Sequence, residues 1–217
     1  FGNIYTRIMN PTCDVLEKRV AALEGGMAAV AVGSGQAASA YCVLNVAKAG
    51  DNIVASTDLY GGTVNLFKNQ LRLQGVEVRF ADPADPKNFE KLTDEKTRAY
   101  YGESCPNPYL RVFPIKEVAD IGRKKGIPLF IDNTASPVIC KPLAHGAAVV
   151  MHSLTKYIGG HGTSIGGIIV DGGNFDWTKD RKRQPLMNEP DQSYNGAIWA
   201  DAVPQLTGAN IPFAIRA

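Results

Sequence analysis

Val149-Val150-Met151-His152-Ser153-Leu154-Thr155-Lys156 is a short apolar run that passes into hydroxyl residues and a lysine, just before the glycine-rich Gly159-Gly160-His161-Gly162. A brief apolar run bounded by polar residues reads as a buried strand, Val149 to His152, too short for a core helix. In α/β proteins ligands bind beyond the carboxyl ends of such strands, which is where Lys156 falls. A lysine alone in a loop is an ordinary surface charge. This one has company: Ile131-Asp132-Asn133 places a carboxylate at the end of another apolar strand, and Val32-Gly33-Ser34-Gly35-Gln36-Ala37-Ala38 makes a glycine turn between a strand and a helix.

Working outward, strands are expected at Ala28 to Val32, Ile53 to Ala55, Val76 to Phe80, Arg98 to Tyr101, Leu129 to Ile131, Val149 to His152 and Ile168 to Val170. Helical patterns separate them. The first is capped by Asn10 with Pro11 at its first position and stops at Gly25-Gly26; others cover about Ala37 to Lys48, Val64 to Gln74 and Ile115 to Lys125. Gly50, Gly75 and Gly126 close these helices in the usual C-terminal manner. Strands alternating with helices predict an α/β fold with a mostly parallel central sheet. Past Gly172 the pattern loosens; Lys179-Asp180-Arg181-Lys182-Arg183 reads as a solvated segment, and Pro185, Pro190 and Pro204 punctuate an irregular stretch.

The 217 residues are 45% hydrophobic and 20% charged, enough to bury a sizeable core and incompatible with disorder. Lys plus Arg number 23 against 21 Asp plus Glu, a net charge of +2 that gives nucleic acid or an anionic membrane little to hold. No apolar run reaches the roughly 18 residues of a membrane span, and Phe1 to Arg7 lacks signal-peptide order. Cys13, Cys42, Cys105 and Cys140 show no C-x-x-C pair, so reduced thiols, no metal site and a cytoplasmic setting are expected.

The glycine turn aims bare N–H groups and a helix dipole at an anion. It also satisfies G-x-G-x-x-A, with Asp58 near the end of the next strand as a Rossmann ribose acid would be, so a dinucleotide, another phosphate and a purely structural turn all remain open on that string alone. Lys156 and Asp132 favour a different cofactor. A strand-end lysine among small polar groups suits a Schiff base, and pyridoxal 5'-phosphate (PLP) needs a carboxylate at its pyridine nitrogen. A nicotinamide enzyme has no use for that constellation.

Tyr5-Thr6-Arg7 with Asn10-Pro11-Thr12, Leu23-Glu24-Gly25-Gly26, Ser34-Gly35-Gln36, Leu59-Tyr60-Gly61-Gly62-Thr63, Glu103 with Asn107-Pro108, Asp132-Asn133-Thr134 and Ser153-Leu154-Thr155-Lys156-Tyr157 resemble, in order, the motifs of the Cys/Met-metabolism PLP enzymes of fold type I. The loop Tyr157 to Gly167, followed by Asp171 to Trp177, looks most like the O-acetylhomoserine sulfhydrylases of that family, and Gly62 stands where methionine γ-lyases usually carry Cys. The resemblance implies γ-replacement on O-acetylhomoserine by sulfide, giving homocysteine and acetate. A methionine γ-lyase, or a cystathionine γ-synthase or lyase on the same scaffold, is the first alternative; a NAD-binding Rossmann oxidoreductase and a non-catalytic PLP-binding fragment come after it.

The resemblance also implies roles. Lys156 would bond the cofactor and later move protons. Asp132 would pair with the pyridine nitrogen, and Tyr60 would lie on the ring and serve near the leaving group. Ser34, Gly35, Gln36, Ser153 and Thr155 would take the phosphate, with Asn107 near the ring hydroxyl and Glu103 in support. Tyr5 and Arg7 would reach the phosphate of a neighbouring subunit in a homodimer or homotetramer. Residues 1–12 would then be an arm against the partner, 13–200 the PLP-binding large domain, and 201–217 the start of a link to a C-terminal domain that the chain does not contain, with the arginine that grips the substrate carboxylate. Ala135 and Asn195 depart from the aromatic and the His that the sulfhydrylases tend to have.

Overall fold

The computed structural model describes residues 4–217. Helix α1 (Pro11–Glu24) starts as its sequence dictates: the Asn10 side chain accepts from the N–H groups of Thr12 and Cys13, and the chain leaves through Gly25 at φ 76°, a left-handed conformation natural to glycine. Then follow β1 (Ala28–Val32), α2 (Gly35–Leu44), β2 (Asn52–Ser56), α3 (Gly61–Asn65), β3 (Glu77–Ala81), α4 (Lys87–Lys91), β4 (Thr97–Glu103), α5 (Ile115–Lys124), β5 (Leu129–Asp132), β6 (Val149–Ser153) and β7 (Gly167–Asp171). The chain ends in α6 (Pro185–Asn188), α7 (Trp199–Thr207) and α8 (Pro212–Arg216).

The seven strands form one sheet in the order β1-β7-β6-β5-β4-β2-β3. All neighbours are parallel except β7, which runs antiparallel to both β1 and β6. Alternation along the strands feeds two cores. Ala55, Tyr101, Phe130 and Met151 join α2, α7 and α8 on one face, called here the front; Val54, Tyr100, Ile131 and Val150 join α1 and α5 on the back.

Most expected elements are present with shifted ends. Strands β4, β5 and β6 run on to Glu103, Asp132 and Ser153, beyond the apolar residues that marked them, because the backbone ladder continues wherever N–H and C=O can pair. The helix expected from Val64 begins at Gly61 and widens to a π-helical stretch at Leu66–Leu71. The region past Gly172 corrects the expectation of irregularity. Pro185 and Pro212 start helices rather than break them, because the first helical position needs no N–H. Phe213 of α8, within the expected link 201–217, is fully buried, with its ring 5.1 Å from Phe130 and 5.5 Å from Trp177.

Candidate active site

The carboxyl ends of β1, β2, β4, β5 and β6, and the start of β7, share one rim. The register ties Glu103 to Asp132 and sets both Ser153 and Val32 opposite Gly167. Six separate segments of sequence therefore arrive together.

Asp132 and Glu103 are adjacent carboxylates facing the front. Burial and then the charge on Asp132 push Glu103 up to about 8, although it accepts the Tyr60 N–H at 2.7 Å and the Asn107 N–H. Burial raises Asp132 as well, against the Thr134 N–H donated at 2.9 Å. Two carboxylates side by side resist double ionisation, and a cation beside them would relieve both. Behind Asp132, the hydroxyls of Ser39 and Tyr101 lie 2.9 Å apart beside the Met151 sulfur, a buried floor with no second charge in it.

The glycine turn packs tightly onto this rim. A Cβ on Gly35 would come 2.5 Å from that of Ser153, and one on Gly167 would fall 2.1 Å from the Ser34 carbonyl oxygen, so bare backbone is required at both. The Ser34 hydroxyl caps α2 by accepting the Ala37 N–H at 3.0 Å, and the Ala38 N–H goes to the Ser34 carbonyl. Among the described residues, the Gly35 and Gln36 N–H groups have no partner at this helix start. Tyr60 leans over Gly62, where an added Cβ would meet its ring at 2.5 Å, and the Gln36 amide reaches Thr63 at 3.5 Å, so Tyr60 borders the same cradle.

Lys156 stands in a turn just past β6. Its N–H donates to the Ser153 carbonyl at 3.3 Å, and its own carbonyl accepts from Gly160 at 2.8 Å. The side chain is exposed and pairs with no acid among the described residues. Thr155, expected at a phosphate, uses its hydroxyl on the backbone of Gly166, fixing the lysine turn to the start of β7. Asn107 lies exposed at the edge of the rim.

Tyr5 and Arg7 are not brought to the cleft. They stack on each other at 5.1 Å in an exposed turn before α1, and no hydrogen bond or ion pair among the described residues ties them to the rim. Asp58 is spoken for: it is buried and bonds Arg111 at 2.7 Å. That pairing, with the strand order, removes the dinucleotide reading of the glycine turn. Thr134 stands within a sequence motif but has no role assigned there, although it follows Asp132 by two positions, the spacing of an Asx turn; its N–H donates to Asp132 and its hydroxyl accepts the Ser153 N–H at 2.8 Å. Among the described residues no cluster of His, Cys, Asp or Glu could hold a metal ion, and no helix is long and apolar enough to cross a membrane.

A parallel sheet with an anion cradle, a carboxylate pair and a strand-end lysine on one rim is the arrangement of a PLP-dependent enzyme of fold type I. The sequence profile of the Cys/Met metabolism PLP-dependent enzymes matches residues 1–208, and the chain belongs to that family. It is 51% identical over 221 residues to an O-acetyl-L-homoserine sulfhydrylase of Leptospira meyeri, covering 100% of this chain and 50% of that protein. It is 52% identical over 209 residues to O-acetyl-L-homoserine sulfhydrylase 1 of Thermus thermophilus, covering 95% and 49%. Among solved structures, an O-acetylhomoserine (thiol)-lyase assignment from Campylobacter jejuni, crystallised with N'-pyridoxyl-lysine-5'-monophosphate, superposes with a TM-score of 0.89 at 35% identity, over 100% of this chain and 57% of that one. The chain thus spans about half the length of the curated relatives it matches.

The residues present fit PLP. Unpartnered N–H groups over a close-packed glycine suit its phosphate, and the raised Asp132 and Glu103 suit a protonated ring nitrogen.

Proposed function

We propose that the whole protein uses PLP to replace the acetate of O-acetylhomoserine with sulfide, giving homocysteine. The substrate rests on the identity of 51% to a named sulfhydrylase across all of this chain. When bound, PLP supplies an electron sink for negative charge developed beside the amino-bearing carbon. Asp132, with Glu103 beside it, would keep a proton on the ring nitrogen. Gly35 and Gln36 would hold the phosphate through backbone N–H groups, with the hydroxyls of Ser34 and Ser153; Thr155 would contribute mainly by fixing the turn that presents Lys156. Lys156 would bond the cofactor when no substrate is present, then carry protons between the substrate carbons and the leaving side. Tyr60 and Asn107 would border the ring.

The assembly in this reading is a homodimer or homotetramer in the cytoplasm, with Tyr5 and Arg7 of one copy serving the phosphate of the next. Their exposure supports this, as do Tyr109, Leu110, Val112, Val138 and Ile139, apolar side chains exposed on loops beside the rim. Residues 13–217 act as one cofactor-binding domain in this reading, since Phe213 packs in the sheet's own core.

Reduction with borohydride followed by peptide mapping tests the cofactor, and the pyridoxyl group is expected on Lys156. Assay with O-acetylhomoserine and sulfide against methionine tests the substrate. A label on another lysine, or faster release of an oxoacid from methionine, would overturn the respective half.

A further inference from the structure

Glu103, Asp132 and Ser153 face the front of the sheet, so the residue beside each in sequence faces the back. Those neighbours are Ser104, Asn133 and His152, all buried; Asn133 and His152 meet on one acid, Glu24, and Ser104 joins them through Asn133. His152 Nε2 lies 2.8 Å from Glu24 Oε1, the Asn133 amide donates to the same oxygen at 3.1 Å, and the Ser104 hydroxyl donates to Asn133 Oδ1 at 2.7 Å. The Asn133 amide also reaches the Cys140 carbonyl at 3.1 Å, which holds the loop after β5.

This cluster is costly as a piece of core. Glu24 is the last residue of α1, at the negative end of its dipole, and is 3% exposed. Glu24 Oε2 and His152 Nδ1 are buried without partners. An apolar pair would fill the same space without either penalty. What the polar cluster secures is alignment: it grips the three strand ends from behind at the residues adjoining the rim groups. His152 is also near enough to Asp132 for a charged imidazole to favour the carboxylate there.

We propose that Glu24 is a positioning residue of the cofactor site, acting through His152, Asn133 and Ser104 to set the spacing of the strand ends that bear Glu103, Asp132 and Ser153. This rests on the PLP reading of the rim. The test measures PLP dissociation and the pH titration of the bound cofactor's absorbance, with melting temperature alongside. Glu24→Ala is expected to weaken PLP retention about tenfold or more and to displace the spectral titration, by analogy with the loss of outer partners of bound groups. Glu24→Gln, which keeps an acceptor for His152 and Asn133, should restore retention to within about threefold of the parent. If Glu24→Ala does not fold, Ser104→Ala, which removes one bond of the chain, should still loosen PLP by about two- to threefold. Variants that melt lower but hold PLP with the parent's affinity and titration would make the cluster purely structural and overturn the proposal. A parent protein that takes up no PLP would instead overturn the reading of the rim itself.

Discussion

At the amino ends of β2 and β4 the charged side chains pair within the fold, although Arg98 Nε and Arg183 Nε are left without hydrogen-bond partners among the described residues. Arg98, 10% exposed, donates to Asp51 at 2.6 Å and to the Arg183 carbonyl at 2.8 Å, while Arg183 bonds the carbonyls of Asp94 and Thr97. For Asp94, burial would raise the carboxyl, but hydrogen bonds from Asn52, Arg79 and Lys96 outweigh it and hold the group at about 2. The carboxyl ends differ. There Asp132 and Glu103 press against each other, both raised, with the Gly35 and Gln36 N–H groups open and Lys156 unpaired among the described residues. One end spends its polar groups on the fold, and the other keeps them available for a ligand.

Substitution should separate the ends. Lys156→Ala is expected to lower turnover by about 10²–10⁴-fold or more and abolish borohydride labelling, with the melting temperature of the cofactor-free protein nearly unchanged because the side chain is exposed. Turnover assays and thermal melts check the two halves; a strongly destabilised variant would show that the lysine also serves the fold. Arg98→Met should do the reverse. It strands Asp51 in a buried place and is expected to cost about 3–5 kcal/mol by denaturant titration, leaving PLP binding per folded molecule as in the parent. An altered cofactor spectrum in the folded fraction would mean that the ends are coupled.

The sequence showed the rim more fully than its support. Gly35, Asp132, Ser153 and Lys156 each sit where an apolar run gives way to small or polar residues, and that change is visible in the chain. The strand ends ran further than expected because a ladder does not distinguish Asp132 from Ile131. Glu24, Asn133 and His152 could be quoted within motifs, but their contact spans 109 to 128 positions and follows only from strand order. The helices after Gly172 were hidden for another reason. Their prolines read as breakers until Trp199, Val203 and Phe213 are seen to pack on the sheet.

The contrast extends to pH. In the cofactor-free protein Glu103 has its pKa raised from an ordinary 4.5 to about 8, so its contribution is fully present below pH 4.5 and is lost as pH rises toward 8. Asp171, which lies at the other end of the sheet opposite Ala28 and Val149, is an exception to the contrast: burial holds it at about 6, and it adds a similar loss that is largely complete by pH 6. Between pH 6 and 8, stability should therefore fall by up to about 1.4 kcal/mol per pH unit, and Glu103→Gln should flatten that slope. Thermal melts of both proteins across this window decide it; equal slopes would mean that another group carries the titration.

The smallest effect belongs to the opposite end and has the opposite sign. Asp94 titrates at about 2 in the fold, against about 3.9 for a free aspartate, so its contribution is present above pH 4 and disappears as pH falls toward 2. Its side chain is 43% exposed and its ion pair with Arg79, at 2.7 Å, is open to solvent, so screening reduces the effect to about 1 kcal/mol. Asp94→Asn keeps the shape and removes the charge. The variant should be less stable than the parent by that amount at pH 5 to 6 and equal to it near pH 2, with PLP affinity unchanged, and added salt should narrow the gap at pH 5 to 6. Denaturant titrations at the two pH values give the difference directly. A gap that persists at pH 2 would assign the loss to the hydrogen bonds with Asn52 and Thr97 rather than to the carboxylate's charge, and a change in PLP affinity would break the separation between the two ends of the sheet.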